Sequence, residues 1–104
     1  MRKITQNAAD AFVSGRKFAS GNTQVDAYTA DDKTVARMYL HGNQIAYKCN
    51  GELLVTLAGW PTPTTRERLN GLLETIGKER SFHQQNYSQF YGSELIDAHQ
   101  WLKV

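Results

Sequence analysis

The stretch that decides the fold runs from residue 34 to residue 58 and reads TVARMYLHGNQIAYKCNGELLVTLA. Runs of β-branched and large apolar residues alternate in it with two turn signals, His41-Gly42-Asn43 and Asn50-Gly51. Asn-Gly is typical of a type I′ hairpin turn, because both residues tolerate the positive φ angles that its central positions require. The stretch therefore predicts three consecutive antiparallel strands, over residues 34–40, 44–49 and 52–58.

The turns also predict how these strands align. With the Asn-Gly pair as a two-residue loop, Tyr47 faces Leu54 in the next strand. With Gly42-Asn43 as the preceding loop, Met38 faces Tyr47, so Tyr39 lies on the other side of the sheet. This alignment puts apolar residues on both faces and gives the two tyrosines no common stacking surface. We therefore expect both faces to be covered, by helices of this chain or by another chain.

Upstream of this stretch, the sequence predicts a short helix and one further strand. The helix covers residues 6–14, with Thr5 as its cap and Gly15 ending it in the left-handed conformation. The strand covers residues 23–29 and ends before Asp31-Asp32, because aspartate side chains favour a turn by bonding to nearby backbone groups.

Downstream, Gly59-Trp60-Pro61-Thr62-Pro63 reads as a rigid, extended connector, since each proline restricts the residue before it. Thr64-x-x-Glu67 then matches a capping box, which predicts a helix start. Gly77 is a natural terminator for this helix. The residues at helical spacing that form its buried stripe are Leu69, Leu72, Leu73 and Ile76.

The last quarter of the chain carries weaker signals. Residues 81–85 fit a short strand, and residues 93–104 fit either a helix or a loop followed by a terminal strand near residues 100–103, which we favour. The length of 104 residues suits one domain. Taken together, the chain is predicted to be a single α+β domain over residues 1–104. Its core is an antiparallel β-meander of three to five strands, with one capped helix packed on it and a short N-terminal helix.

Composition indicates an ordinary globular protein, with 40% hydrophobic and 21% charged residues. No apolar run approaches the roughly 20 residues that a membrane span needs, so we expect no membrane partner. A single cysteine, Cys49, fits a reducing, cytoplasmic location. The net charge is +2 and the basic residues are scattered, which permits nucleic-acid binding without favouring it.

The sequence contains no pattern typical of catalysis or of a cofactor. The three histidines and Cys49 do not stand at the spacing of a metal site. Phosphate-binding glycine loops and nucleophile motifs are absent. We therefore expect a non-enzymatic protein without cofactor or metal. A small enzyme whose residues meet only in the fold, such as a hydrolase of a signalling nucleotide, stays open as an alternative.

The start of the second helix is a candidate anion site. Arg66 and Arg68 lie in its first turns, where the helix dipole favours negative groups. Together with the free backbone N–H groups around Thr65, they predict a site for a phosphate or for a partner's carboxylates. The alternative is that both arginines are solvated and pair with nearby acidic residues.

A second candidate surface is aromatic. Trp60, Tyr87, Phe90 and Tyr91 fall in predicted connectors, where core packing less often explains a large ring. Trp and Tyr dominate the binding energy of protein interfaces, and their rings also stack on bases. The alternative is that Trp60 folds back as a lid over the core between helix and sheet.

Two blocks of the sequence carry a resemblance. They are Leu40-His41-Gly42-Asn43-x-Ile45-Ala46 and the run from Leu57 to Leu73, LAGWPTPTTRERLNGLL. With Ile4-Thr5-Gln6-Asn7-Ala8, they resemble a group of small bacteriophage proteins of undefined function. The resemblance implies a phage accessory protein acting in the bacterial host cytoplasm, and it implies no catalytic residue.

Our leading hypothesis is a non-enzymatic phage accessory protein that binds a host protein or a protein–nucleic-acid complex. It would inhibit a host defence or nucleic-acid-handling system, as in an anti-CRISPR or anti-restriction role. One alternative is a small nucleic-acid-binding module that uses basic residues and loop aromatics. Another is a homodimer that associates through its second sheet face. The predicted binding residues are Arg66, Arg68, Thr65, Trp60, Tyr87 and Tyr91, and the basic residues of the alternative are Arg16, Lys17, Arg66, Arg68, Lys78 and Arg80.

Overall fold

Two helices and nine strands make up the structure, a computed structural model that describes residues 1–104. The strands form two antiparallel sheets, which confirms the predicted α+β class. In chain order the elements are α1 (Lys3–Ser14), β1 (Phe18–Ser20), β2 (Thr23–Ala30), β3 (Lys33–Leu40), β4 (Asn43–Cys49), β5 (Glu52–Val55), α2 (Pro63–Thr75), β6 (Phe82–Gln85), β7 (Ser88–Tyr91), β8 (Glu94–Ile96) and β9 (Leu102–Lys103).

Consecutive hairpins build the larger sheet, whose strand order is β1-β2-β3-β4-β5-β9. It has six strands rather than three to five, because β1 was not predicted and the C-terminal strand joins the free side of β5. The terminal strand that we favoured for the tail is thereby confirmed. Three of the hairpin turns place both central residues at positive φ, as in a type I′ turn: Asp31-Asp32, His41-Gly42 and Asn50-Gly51.

The predicted alignment is right for one hairpin and wrong for the other. Tyr47 pairs with Leu54, as expected from the Asn-Gly turn. Between β3 and β4, however, the turn is His41-Gly42, one residue earlier than predicted, because histidine here accepts a φ of 51°. A β-bulge then inserts Ile45 as an extra residue. Tyr39 and Tyr47 consequently lie on the same face of the sheet, contrary to the prediction.

Both helices pack on one face of the larger sheet. Phe12 of α1 and Leu69 of α2 are fully buried against Val25, Met38 and Val55 of the strands. No helix or strand of the chain covers the opposite face, so the first expected cover, helices of this chain, is absent there, and the alternative of another chain stays a prediction. No helix of the structure is long and apolar enough to cross a membrane.

The helix starts differ from those predicted. α1 begins at Lys3, and Thr5 lies inside it, buried rather than acting as its cap. α2 begins at Pro63, whose fixed φ suits the first helical position, so the cap is Thr62 and not Thr64. The Thr62 hydroxyl accepts a hydrogen bond from the Thr65 backbone N–H at 3.2 Å. Both helix ends are as predicted, with Gly15 and Gly77 in the left-handed conformation.

The two helices approach each other closely at Gly71 in α2. A Cβ atom added there would lie 2.2 Å from Cγ2 of Thr5 in α1, a distance that real Cβ atoms do not tolerate. Only glycine allows this contact without a shift of the Thr5 side chain or of one helix. The close approach buries the alanines of α1, Ala8, Ala9 and Ala11.

Strands β6, β7 and β8 form a separate three-stranded sheet beside α2. Its inner side chains Phe82, Tyr91 and Ile96 are buried in the core. The Asn70 side chain of α2 donates to the Phe82 carbonyl oxygen at 2.9 Å and accepts from the Phe82 N–H at 2.7 Å. The strand predicted over residues 81–85 is confirmed, whereas β7 and β8 were not predicted.

Candidate functional site

Arg68 does not belong to a surface site. Its side chain is 2% exposed and lies between α2, α1 and β2. The guanidinium donates to Oγ1 of Thr23 and to Oγ1 of Thr5, both at 2.9 Å, and it pairs with the Glu67 carboxylate. The prediction that Arg68 and Arg66 form one anion site is wrong, because these partners occupy the Arg68 guanidinium inside the protein.

Arg66 and Thr65 are also committed to internal contacts. Nη1 of Arg66 donates to the Pro61 carbonyl oxygen at 2.8 Å and to Oε1 of Gln89 at 3.0 Å. Thr65 is buried, and its N–H is bonded to Thr62. The groove next to Arg66 is also lined by the acidic residue Glu74, which disfavours an anion there. The start of α2 therefore offers neither a free Thr65 N–H nor an uncommitted Arg66 guanidinium to an anion.

Tyr91 lies in the core rather than on a binding surface. Its ring centre is 5.0 Å from that of Phe82, and the Arg80 guanidinium carbon lies 4.5 Å above it. The predicted grouping of Tyr91 with Trp60 and Tyr87 is therefore wrong. The inward face of β7, on which Tyr91 lies, belongs to the buried core.

Trp60 and Tyr87 are exposed, as a binding role requires. The Trp60 side chain is 59% exposed and the Tyr87 side chain 95% exposed. Trp60 is thus not a closed lid over the core. Tyr87 stands at the turn between β6 and β7, and together with Pro61 and Leu95 it lines a depression of about 490 Å³. We call Trp60, Pro61, Tyr87 and Leu95 the Trp60 surface.

The connector that carries Trp60 is fixed by hydrogen bonds. The Gly59 N–H donates to the Ala98 carbonyl oxygen at 2.8 Å, and the Trp60 N–H donates to that of Leu57 at 2.9 Å. Ala58 has a φ of 56°, which is unusual for a residue with a side chain. At Gly59 an added Cβ would lie 2.4 Å from the His99 ring. The backbone at Trp60 is therefore fixed on both sides of the residue.

The connector also lines a pocket of about 420 Å³, to which Ala58, Trp60 and Thr62 contribute. This volume falls within the usual range of ligand pockets. None of the lining side chains is Lys, Arg, Asp or Glu. Half of the lining is apolar, and the lining residues include Leu40, Ile45, Leu57, His41, Asn43 and Thr64.

The uncovered face of the larger sheet is the second surface with distinctive chemistry. The Arg37 guanidinium carbon lies 5.7 Å from the ring centre of Tyr28 and 5.2 Å from that of Tyr47. Hydrogen bonding with the Cys49 thiol raises the pKa of Tyr47 above its ordinary value of 10.0, and the Arg37 charge opposes this rise. Tyr39 lies on the same face, two residues from Arg37.

A family model described as Kyanoviridae Gp96 protein matches residues 1–103. The chain belongs to the Kyanoviridae Gp96 protein family. No curated protein and no solved structure matches it. The match confirms that the chain is a phage protein, as the resemblance implied, and it does not test the individual sequence blocks.

For this Kyanoviridae Gp96 protein, sequence reasoning found two of the four residues of the Trp60 surface. Trp60 and Tyr87 were identified because large rings in connectors are rarely explained by the core. Pro61 was identified only as a rigid spacer. Leu95 was missed, since nothing in residues 93–96 marks an exposed strand residue. Sequence reasoning also placed Arg68 at the surface, although it is buried. Its hydrogen-bond partners, Thr23 and Thr5, come from distant parts of the chain.

Proposed function

We propose that this phage protein is a non-enzymatic accessory protein that binds a host protein through the Trp60 surface. The observation that carries the proposal is the exposure of two large aromatic residues, Trp60 and Tyr87. Tyr87 lines the Pro61 depression, and Trp60 directly precedes Pro61 in the chain and lines the pocket of about 420 Å³. Trp and Tyr are the residues most often found to dominate interface energetics. Neither ring contributes to the buried core of this chain.

The fixed position of these residues supports the proposal. The backbone of the connector is bonded on both sides of Trp60, and Arg66 holds the Pro61 carbonyl oxygen. A surface that is already ordered loses less conformational entropy when a partner binds. The Trp60 surface is therefore prepared for binding without a rearrangement of the chain.

The charges around the Trp60 surface favour a protein over a nucleic acid as its partner. The Pro61 depression contains one charged lining residue, Asp97, and the pocket beside Trp60 contains no Lys, Arg, Asp or Glu. A polyanion requires basic contacts, which this region does not offer. An apolar protein surface with polar edges fits the lining better.

We place the partner among host proteins that act in defence or in nucleic-acid handling, as in an anti-CRISPR or anti-restriction role. Membership of a phage protein family supports this setting. Inhibition by occlusion requires only a stable complex, and no chemistry from the inhibitor. The location that follows from this role is the host cytoplasm.

The test is affinity purification of the tagged protein from a host lysate, with and without nuclease treatment and at low and high salt. We expect a host protein to be retained in stoichiometric amount by the wild type. The variant Trp60→Ala with Tyr87→Ala should lose it, since hot-spot truncations cost about 2 kcal/mol or more each, or roughly thirtyfold in affinity. Tyr28→Ala removes an exposed ring from the opposite sheet face and serves as the matched control.

Equal retention by the double variant and the control would refute the assignment to the Trp60 surface. Retained material that disappears with nuclease would refute protein binding and support the nucleic-acid alternative. Circular dichroism of each variant shows whether the fold is intact, so that loss of binding is not confused with unfolding.

A further inference from the structure

The uncovered face of the larger sheet brings together three tyrosines and one arginine from neighbouring strands. Arg37 of β3 pairs directly with Tyr47 of β4, and Tyr28 of β2 pairs with Val35, two residues before Arg37. Residues that face each other, or that lie two apart on a strand, share one face. The bulge at Ile45 is what brings Tyr47 to this face.

Arg37 has no acidic partner within the chain. The ion pairs of the structure join Arg68 with Glu67, Arg80 with Glu94 and Lys103 with Glu52. Asp26 lies opposite Arg37 in the register, yet the two form no ion pair. The Arg37 guanidinium instead lies near two tyrosine rings, and no carboxylate within ion-pair distance neutralises its charge.

The charges of this face favour a polyanion. By alternation along the strands, it carries the basic residues Lys33, Arg37 and Lys103 and the acidic residues Asp26 and Glu52. Glu52 is already paired with Lys103 at 3.2 Å. Two basic residues, Lys33 and Arg37, then stand against one acidic residue. The Trp60 surface has no comparable excess of basic residues.

We propose that this face binds single-stranded nucleic acid, with bases stacked on Tyr28, Tyr39 and Tyr47 and a phosphate bound by Arg37. Aromatic rings on an open sheet accept any base, because every base presents a flat π-face. Arginine supplies the phosphate contact and adds cation–π stacking. The site shares no residue with the Trp60 surface, and it does not rest on the host-protein proposal.

The test is a fluorescence anisotropy titration of a labelled oligothymidylate of about twelve nucleotides at several salt concentrations. We expect binding at low salt that weakens as salt rises. Tyr28→Leu with Tyr47→Leu should weaken binding roughly tenfold or more, since each base–ring stack contributes a factor of that order. Arg37→Gln should lower the slope of log K against log salt by about 0.7, the loss of one phosphate contact on a single strand.

Phe90→Leu is the control, because it removes a ring of the separate small sheet that belongs to neither proposed surface, and it should leave the affinity unchanged. Tyr28 is 44% exposed, so Tyr28→Leu alone serves as a variant that does not disturb the core. Absence of binding at low salt, or equal losses in the control and the double variant, would overturn the proposal. A wild type that dimerises without binding the oligonucleotide, with a monomeric double variant, would assign the face to a second copy of the chain.

Discussion

Replacing Arg68 with alanine removes the side chain that joins α2 to α1 and β2. Four groups then lose a hydrogen-bond donor: the hydroxyls of Thr5 and Thr23, the carboxylate of Glu67 and the side-chain oxygen of Asn22. Two of these residues, Thr5 and Thr23, are fully buried, so water does not replace the lost donor. The change also leaves a void where the aliphatic part of the arginine was packed.

Breaking a buried charged pair by removing one partner costs about 3–5 kcal/mol. The Glu67 side chain is 31% exposed and recovers part of its hydration, so we expect the lower end, about 3 kcal/mol. A protein of this size has a total free energy of unfolding of about 5–15 kcal/mol. At about 4–8 °C for each kcal/mol, the melting temperature should fall by roughly 12–24 °C.

The measurement is urea unfolding followed by circular dichroism, with the slope of the transition checked against the wild type. Arg16→Ala is the matched control, because Arg16 is exposed and should change stability by less than about 0.5 kcal/mol. Arg68→Lys retains the charge but not the planar donor set, so it should fall between the two. A loss below about 1 kcal/mol for Arg68→Ala would refute the buried network.

Three further predictions follow from the packing, the cap and the Tyr47 environment. Gly71→Ala should lower the melting temperature, because the added Cβ meets the Thr5 side chain. Alanine is the better helix former by about 1 kcal/mol, so a rise in the melting temperature would contradict the close approach of the two helices. Thr62→Ala should lower the free energy of unfolding in urea by about 1 kcal/mol, and Thr64→Ala should lower it much less, because Thr62 is the cap of α2. A larger loss for Thr64→Ala would support the predicted capping box at Thr64 and Glu67 instead. Because the folded state raises the pKa of Tyr47, its stabilising contribution is present below pH 10 and is lost as pH rises through the folded pKa, and alkaline unfolding of Tyr47→Phe lacks this loss. An ultraviolet titration in which no tyrosine has a pKa above 10 would oppose the assignment.

The parts of the fold that sequence predicts well are those with local chemical causes. Asn50-Gly51 fixes its hairpin because few other residue pairs accept two positive φ angles. At residues 41–43 three consecutive residues accept positive φ, so the position of the turn is ambiguous by one residue. Nothing marks Ile45 as a bulge, and this single extra residue decides which face carries Tyr47.

Two strands of the small sheet, β7 and β8, were missed because the turn before β7 lacks an ordinary turn signal. Asn86 and Tyr87 occupy the central positions with φ of 51° and 67°, and tyrosine is uncommon in that conformation. The burial of Arg68 was equally hidden, since its partners stand 63 and 45 residues away along the chain. Trp60, by contrast, lies in the short connector that two prolines mark in the sequence. Its exposure could therefore be predicted from local signals.

The Asn70 side chain has a consequence for how the small sheet meets other chains. The outer strand of a sheet leaves backbone groups unpaired, and these recruit strands from other molecules. Asn70 makes with Phe82 the two hydrogen bonds that a neighbouring strand would make, so it blocks that edge at β6. The opposite edge, β8, has no strand beyond it and carries Leu95. A partner that extended this sheet by adding a strand would therefore pair with β8, which carries Leu95 of the Trp60 surface.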